Sequence, residues 1–172
     1  MIDIPVIDTA RLRLRAPAAR DFDAYAAFRG SDRARLLGGP FTREQAFTQF
    51  SGLIGHWVMR GFGRWIVADK ASDAPLGVVG ILYPEGWPEP ELAWSLFDGA
   101  EGRGIAQEAA AAARDHAYGP LGMTTLISLV SSDNPRSEAL ARRLGARPEG
   151  STDIPGHGAT PVWRHPSPGE MS

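Results

Sequence analysis

Cysteine is absent from the 172 residues, and that single absence excludes a disulfide framework, a thiolate metal site and a cysteine nucleophile together. Excess charge is missing too: 18 Lys and Arg against 20 Asp and Glu leave a net charge of −2, with no basic footprint for nucleic acid and no charged tail. No apolar run approaches the roughly 20 residues of a membrane-spanning helix. The opening MIDIPVIDTARLRLR carries acidic residues where a signal peptide carries basic ones, and no apolar segment follows, so a cytoplasmic location is expected. The four histidines show no metal-ligand spacing and no metal is expected. Internal repeats and low-complexity linkers are also lacking. What is present, 43% hydrophobic and 22% charged residues, fits one soluble domain over residues 1–172, with residues 166–172 (PSPGEMS) expected to be disordered.

Periodicity divides the chain. The stretch RLRLRA alternates Arg11, Leu12, Arg13, Leu14 and Arg15, the period-two mark of a strand with one apolar face. Phe22, Tyr25, Ala26 and Phe28 follow at helical spacing, ended by Gly30. Thr42 and Gln45 form a capping box ahead of a second helix whose apolar positions are Ala46, Phe47, Phe50, Leu53, Ile54 and Trp57. The β-branched runs RWIVAD and LGVVGILY, joined by the turn-forming KASDAP, predict a hairpin, and ELAWSLF a third strand. An Ala-rich helix ends near Tyr118, TTLISLV reads as a strand, and NPRSEALARRLG as a helix with Asn134 as N-cap, Pro135 at its first position and Gly145 as C-cap. ARPEG and PVWRH predict weak closing strands. Consecutive strands demand antiparallel hairpins, and strand, Ala-rich helix, strand demands a parallel crossover. The expected fold is therefore α/β (α+β), a mixed and mostly antiparallel sheet of six to seven strands with helices on both faces.

The stretch GAEGRGIAQEAAAA, Gly99 to Ala112, lies where a strand passes into a helix. There unpartnered backbone N–H groups and a positive helix end attract anions, and glycines let an anion approach the amides. A tight turn that only starts the helix is the other reading of the same glycines. Two phosphate motifs fail: a P-loop needs Lys and Ser or Thr after the last glycine, where Ile105 and Ala106 stand, and a dinucleotide fingerprint wants a small residue at Gln107.

Taken in order, TARLRLRAPAARDFDAYAAF, GRWIVADKASDAPLGVVGILYPEG, PELAWSL with GRGIAQEAAAAARDHAY, and SSDNPRSEALARRLGARPEG resemble the GNAT superfamily of acyl-coenzyme A dependent N-acetyltransferases over nearly the whole chain. Within it, the sequence is similar to the branch of the RimJ and RimL ribosomal-protein acetyltransferases. The resemblance implies acetyl-CoA as cosubstrate and an amine acceptor, either a small molecule or a protein N-terminus, with no nucleic acid or membrane partner. A homodimer is a further expectation by analogy. It also implies backbone binding of the pyrophosphate by Gly102, Arg103, Gly104, Ile105 and Ala106, and pairing of the pantetheine arm with Ser95, Leu96 and Phe97. The family's phosphate loop has Gln or Arg where this chain has Glu101. Asn134 matches the family's Asn and is open to two roles, capping and contact with the arm.

Acyl transfer from a thioester to an amine needs a base for the amine proton and is assisted by an acid at the leaving thiolate. Many relatives place a Tyr acid where this chain has Ala141. In the RimL-like branch a Ser stands at the position of Ser137, which becomes the candidate for contact with the leaving sulfur; a first-turn helix residue is its other reading. Glu91, at the start of ELAWSL, matches the Glu that several relatives use as base, with the small Ala93 and Ser95 on the same face. A solvated strand-end carboxylate is the alternative. Glu85 and Glu89 are weaker candidates, and the loop YPEGWPEPE, with Tyr83 and Trp87, would give a mildly acidic cleft suited to a cationic amine if it borders the acceptor; a stiff hairpin loop is its other reading. His56 and Trp57 fall on the helix that lines the acceptor side in the family. With Tyr replaced by Ala141, a non-catalytic acyl-CoA binding or sensing module is the alternative to an enzyme.

Overall fold

The alternation in RLRLRA folds into a strand in a computed structural model that describes residues 2–172. The strands are β1 (Ile7–Asp8), β2 (Leu12–Arg15), β3 (Arg64–Asp69), β4 (Pro75–Leu82), β5 (Glu91–Leu96), β6 (Ile127–Leu129), β7 (Arg147–Ile154) and β8 (Gly158–Arg164). They form one sheet in the order β1-β2-β3-β4-β5-β6-β8-β7. Every neighbouring pair is antiparallel except β5 and β6.

Six to seven strands were expected and eight form. The extra one, β1, has two residues, too few to show a period. The weak closing strands become a hairpin of eight and seven residues, because β7 is exposed along nearly its whole length and carries no apolar alternation. TTLISLV, by contrast, shrinks to the three residues of β6. The expected disordered tail is also corrected. Pro168–Met171 make one helical turn, α5, with a capping box between Ser167 and Glu170, and the Tyr118 hydroxyl donates to the Pro166 carbonyl at 2.8 Å.

Helices cover both faces. On one, α3 (Ile105–Tyr118) lays Ile105, Ala109, Ala110, Ala113 and Ala117 on Leu12, Leu14, Val67, Val79, Ile81 and Leu92. Alanine suits this face because a small side chain lets the helix lie close to the sheet while keeping high helix propensity. On the other, α1 (Phe22–Arg29) and α2 (Arg43–Arg60) pack Tyr25, Phe28, Phe50 and Leu53 on Ile66, Val78 and Phe97. Thr42 and Gln45 cap α2 as expected. Of its predicted apolar stripe, Ala46, Phe50, Leu53 and Trp57 are buried, whereas Phe47 and Ile54 are exposed. Arg15 departs from the outward-facing pattern of its strand. It is buried beside Asp21, which it holds in two bonds of 2.8 and 2.9 Å, so the charged face of β2 is covered where α1 begins. The helix α4 (Pro135–Arg143) joins β6 to β7.

Candidate active site

Where β5 and β6 run parallel, their register contains one pair, Glu91 with Ile127. Beyond it the strands part. The cause is visible in the side chain of Glu91: its Oε1 accepts from the Leu129 backbone N–H at 3.2 Å, and its Oε2 from the Trp87 indole N–H at 2.8 Å. A carboxyl thus takes the amide that a strand carbonyl would otherwise hold, and the gap opens from that point. A cavity of about 670 Å³ extends from it, lined among others by Tyr25, Arg29, Arg64, Ser95, Asn134 and Ser137.

Glu91 is 7% exposed. Burial pushes its carboxyl up to about 7, against the opposing pull of the two hydrogen bonds and of the Arg64 charge. Near neutrality it therefore exchanges a proton readily, the property required of a general base. The strand-end solvated carboxylate is excluded by this burial. The other glutamates of the same loop do not reach the site: Glu89 is bound at both oxygens by Arg164 at 2.6 and 2.8 Å, and Glu85 is fully exposed beside Arg60.

The backbone of β5 refines one expectation. Phe97 N–H donates to Leu76 across β4 at 2.8 Å, and Ser95 pairs with Val78 on the same strand. Period-two alternation then aims the backbone groups of Ser95 and Phe97 at β4, and those of Trp94 and Leu96 at the gap. Of the three residues expected to pair with an added strand, only Leu96 faces it. Its carbonyl already accepts from Arg33 at 2.7 Å.

At the end of the gap lies the glycine stretch. Gly102 and Gly104 take φ of 72° and 74°, the left-handed region that glycine enters without strain. Gly104 is the N-cap of α3 and offers no side-chain bond to the helix, so the first N–H groups of the helix, those of Ile105, Ala106 and Gln107, have no intrahelical partner. A Cβ on Gly102 would meet nothing within 4 Å; the turn needs its backbone conformation, and the space outside it is open. The tight turn and the uncapped helix start are one structure here. Arg103 is exposed, and its carbonyl accepts from Arg11 at 2.9 Å. Glu101, the residue that does not fit a phosphate loop, is neutralised: its Oε1 is held by Arg33 at 2.7 Å and by Arg136 at 3.0 Å.

Asn134 and Ser137 sit at the start of α4. Asn134 Oδ1 accepts from the Ser137 N–H at 3.2 Å, which is the capping role. The Ser137 hydroxyl accepts from the Trp94 indole N–H at 3.1 Å, leaving its own proton to donate into the cavity. Ala141 is fully buried against Val130, Ala146 and Trp163, so no acid stands there. His56 is excluded from proton transfer: its Nε2 accepts from the Tyr83 N–H and its Nδ1 lies 2.8 Å from the Phe62 carbonyl, which fixes a neutral ring whose protonation burial opposes. Trp57 is core.

Three cavity residues escaped the sequence: Tyr25, Arg29 and Arg64. Tyr25 and Arg29 lie in a helix read only for its apolar spacing, and Arg64 opens RWIVAD, read only as a β-branched strand. The available signal was register, since Arg64 pairs with Gly80 and Gly80 with Ala93, which clears the face between Arg64 and Glu91 of bulk. The mildly acidic cleft is thereby corrected. Among the described residues no carboxylate lies in salt-bridge reach of Arg29 or Arg64, so the cavity carries two unpaired guanidinium groups beside Glu91.

Among known proteins, residues 11–147 match the family model of the acetyltransferase (GNAT) domain. An acetyltransferase from Agrobacterium tumefaciens is 35% identical over 96% of both chains, with a TM-score of 0.88. A ribosomal-protein alanine acetyltransferase from Vibrio fischeri shares the fold at 17% identity, covering 97% of this chain and 99% of its own, with a TM-score of 0.72. So does the ribosomal-protein α-N acetyltransferase RimL solved with coenzyme A, at 18% identity over 94% and 96% and a TM-score of 0.70. With the family model spanning most of its length, the chain belongs to the GNAT acetyltransferases and is an acyltransferase.

Proposed function

We propose that this acyltransferase moves an acetyl group from acetyl-CoA to a primary amine by direct transfer, with both substrates bound together. The observation that carries the reading is Glu91, a buried carboxyl at the apex of the strand gap, raised to about 7 and facing the same cavity as Ser137. The residues present fit acetyl-CoA: the uncapped start of α3 behind Gly102 and Gly104 suits a pyrophosphate, and the gap-facing backbone of Trp94 and Leu96 suits an extended amide arm. Bound there, acetyl-CoA supplies an activated thioester carbonyl. Glu91 takes the proton of the incoming amine, directly or through water. The Ser137 hydroxyl donates to the departing sulfur, and Trp94 aims that hydroxyl by donating to its oxygen. Asn134 orders the first turn of α4 that carries Ser137.

The chain has no cysteine, so a thiol reagent reports released coenzyme A without background from the protein. With an amine panel, wild type is expected to turn over. Glu91→Gln should lose about 10² to 10⁴ in kcat, the range of general acid–base catalysis, with unchanged coenzyme A affinity by titration calorimetry. Ser137→Ala should lose roughly tenfold, the worth of one hydrogen bond. Coenzyme A binding with no turnover in wild type or either variant would instead favour a sensing module.

A further inference from the structure

The acceptor half of the cavity holds two guanidinium groups without carboxylate partners. Arg29 leaves α1 at a half-buried position, donates through Nε to Gln49 at 2.7 Å, and stacks over the Phe41 ring at 4.4 Å and the Tyr25 ring at 5.9 Å. One nitrogen is thus used, and the outer fork is held by aromatic planes rather than by an anion. Arg64 starts β3, also half-buried, with no carboxylate or carbonyl in hydrogen-bond reach of its guanidinium among the described residues. The two lie near enough that each charge acts on its surroundings: Arg64 makes a second cation at Arg29 less favourable, and burial disfavours both. Of the two fully buried arginines among the described residues, Arg15 is paired with two aspartates, whereas Arg114 is taken up by the Leu144 carbonyl at 2.5 Å and lies against His165; Arg64 has neither kind of partner. Two desolvated like charges left unpaired cost stability, and they are maintained where an anion completes them.

Register gives them direction. Arg64, Gly80 and Ala93 lie side by side across three strands, and Glu91 stands two residues before Ala93 on the same face, so Arg64 and Glu91 are two strand spacings and two residues apart, about 12 Å between backbones. Gly80 carries no side chain to block the span, and a Cβ there would come within 2.4 Å of the Gly63 carbonyl. The remaining carboxylate on the lining, Asp133, is exposed in the loop before α4, at the other end of the cavity.

Resting on the acetyl transfer proposed above, we infer that the acceptor is an amine that carries its own carboxylate, bound by Arg29 and Arg64 while its amino group faces Glu91. Arginine forks match a carboxylate in two-point contact. One such contact is worth about 10- to 100-fold in affinity. The carboxylate can belong to a free amino acid or to an acidic residue of a peptide, and matched pairs separate the two sources. One arm compares amino acids with their carboxamides. The other compares peptide amides bearing Asp or Asn next to a free N-terminus.

The expected result is a 10- to 100-fold preference in kcat/KM for the charged member of one pair, carried by KM. Arg64→Gln should abolish the preference and Arg64→Lys should restore part of it, the change appearing in the KM of the charged member relative to that of the neutral one measured in the same variant. Thermal melting serves as the control for folding, and Arg64→Gln is expected to melt no lower than wild type because it removes an unpaired buried charge. A second reading is independent of turnover: binding of glutarate, a dicarboxylate without an amine, to the coenzyme A-saturated protein by calorimetry, lost in Arg64→Gln. Equal kcat/KM for charged and neutral members of both pairs overturns the inference, as does a preference that survives the Arg29→Gln and Arg64→Gln double variant. Glutarate binding lost in Arg64→Gln, with no transfer to any amine, keeps the carboxylate site and overturns the transfer reading instead.

Discussion

Glu91 serves two roles at once: its carboxyl splits β5 from β6 by capturing the Leu129 amide, and the same burial moves its titration toward neutrality. As base it must be ionised to act. The expected kcat/KM of wild type therefore rises with pH, with an apparent pKa near 7, and reaches a plateau above it. Steady-state rates from pH 5.5 to 9 on an acceptor whose own amine does not titrate in that window check this, and in Glu91→Gln the limb near 7 should vanish while residual activity becomes flat. A limb unchanged in the variant would assign it to another group. Sequence supplied the position of Glu91 through the resemblance of its strand, but not its burial. Burial depends on Trp87, which folds back from the loop four residues earlier to donate its indole N–H, and on Leu129, far along the chain. Arg29 and Arg64 were illegible for a related reason: a residue's charge is written in the sequence, while the absence of a partner is a property of everything packed around it.

Elements with strong local signals formed as expected. Thr42 and Gln45 cap α2, Asn134 and Pro135 open α4, and the glycine stretch opens α3. Those signals are backbone requirements satisfied within a few residues, so sequence carries them. The β7–β8 hairpin was read as two fragments because an exposed edge strand has no buried face to impose alternation. Two of the six stripe positions of α2 were misread for the opposite reason: Phe47 and Ile54 have the right spacing, but α1 and the sheet bury only the side that bears Phe50 and Leu53. At the start of α3, sequence and structure agree well enough for a direct test. Gly104 sits at φ 74°, where a Cβ costs about 1–2 kcal/mol, and the added methyl would meet the Arg11 guanidinium at 3.4 Å beside the helix start. Gly104→Ala is expected to lower stability by about that amount in urea unfolding and to weaken coenzyme A at least tenfold by calorimetry. An equal substitution at Gly99, also left-handed and open but outside the helix start, should cost stability without the loss of affinity.

At the scale of the molecule, two buried titrating groups give the fold opposite responses to pH. His165 joins α3, β5, β6 and β8: Arg114 lies against its Nδ1, and its Nε2 meets the Ser128 hydroxyl at 2.8 Å, which in turn donates to the Leu92 carbonyl. Since Arg114 only donates, the network requires a neutral ring with its proton on Nε2. Burial and the Arg114 charge lower its pKa to about 4, so its stabilisation is complete above 6.5, the unfolded value, and is lost as pH falls through 4. The shift corresponds to about 3 kcal/mol. Glu91 runs the other way. Raised to about 7 from 4.5, its contribution is complete below 4.5 and is lost as pH rises through 7, again by about 3 kcal/mol. The proposed base therefore destabilises the protein in the range where it would be ionised. In Glu91→Gln that cost disappears, less about 1 kcal/mol because an amide accepts at one oxygen only and cannot serve both Leu129 and Trp87. The variant is expected to be about 2 kcal/mol more stable than wild type at pH 8.5, with the difference closing as pH falls toward 4.5. Between pH 6.5 and 4.5 the two slopes oppose each other, so His165→Gln should gain stability relative to wild type as pH falls through that window. Urea unfolding across pH 4.5 to 8.5 separates the two. A Glu91→Gln stability difference independent of pH would mean that the carboxyl is not held away from water in solution, and the base assignment would lose its physical ground.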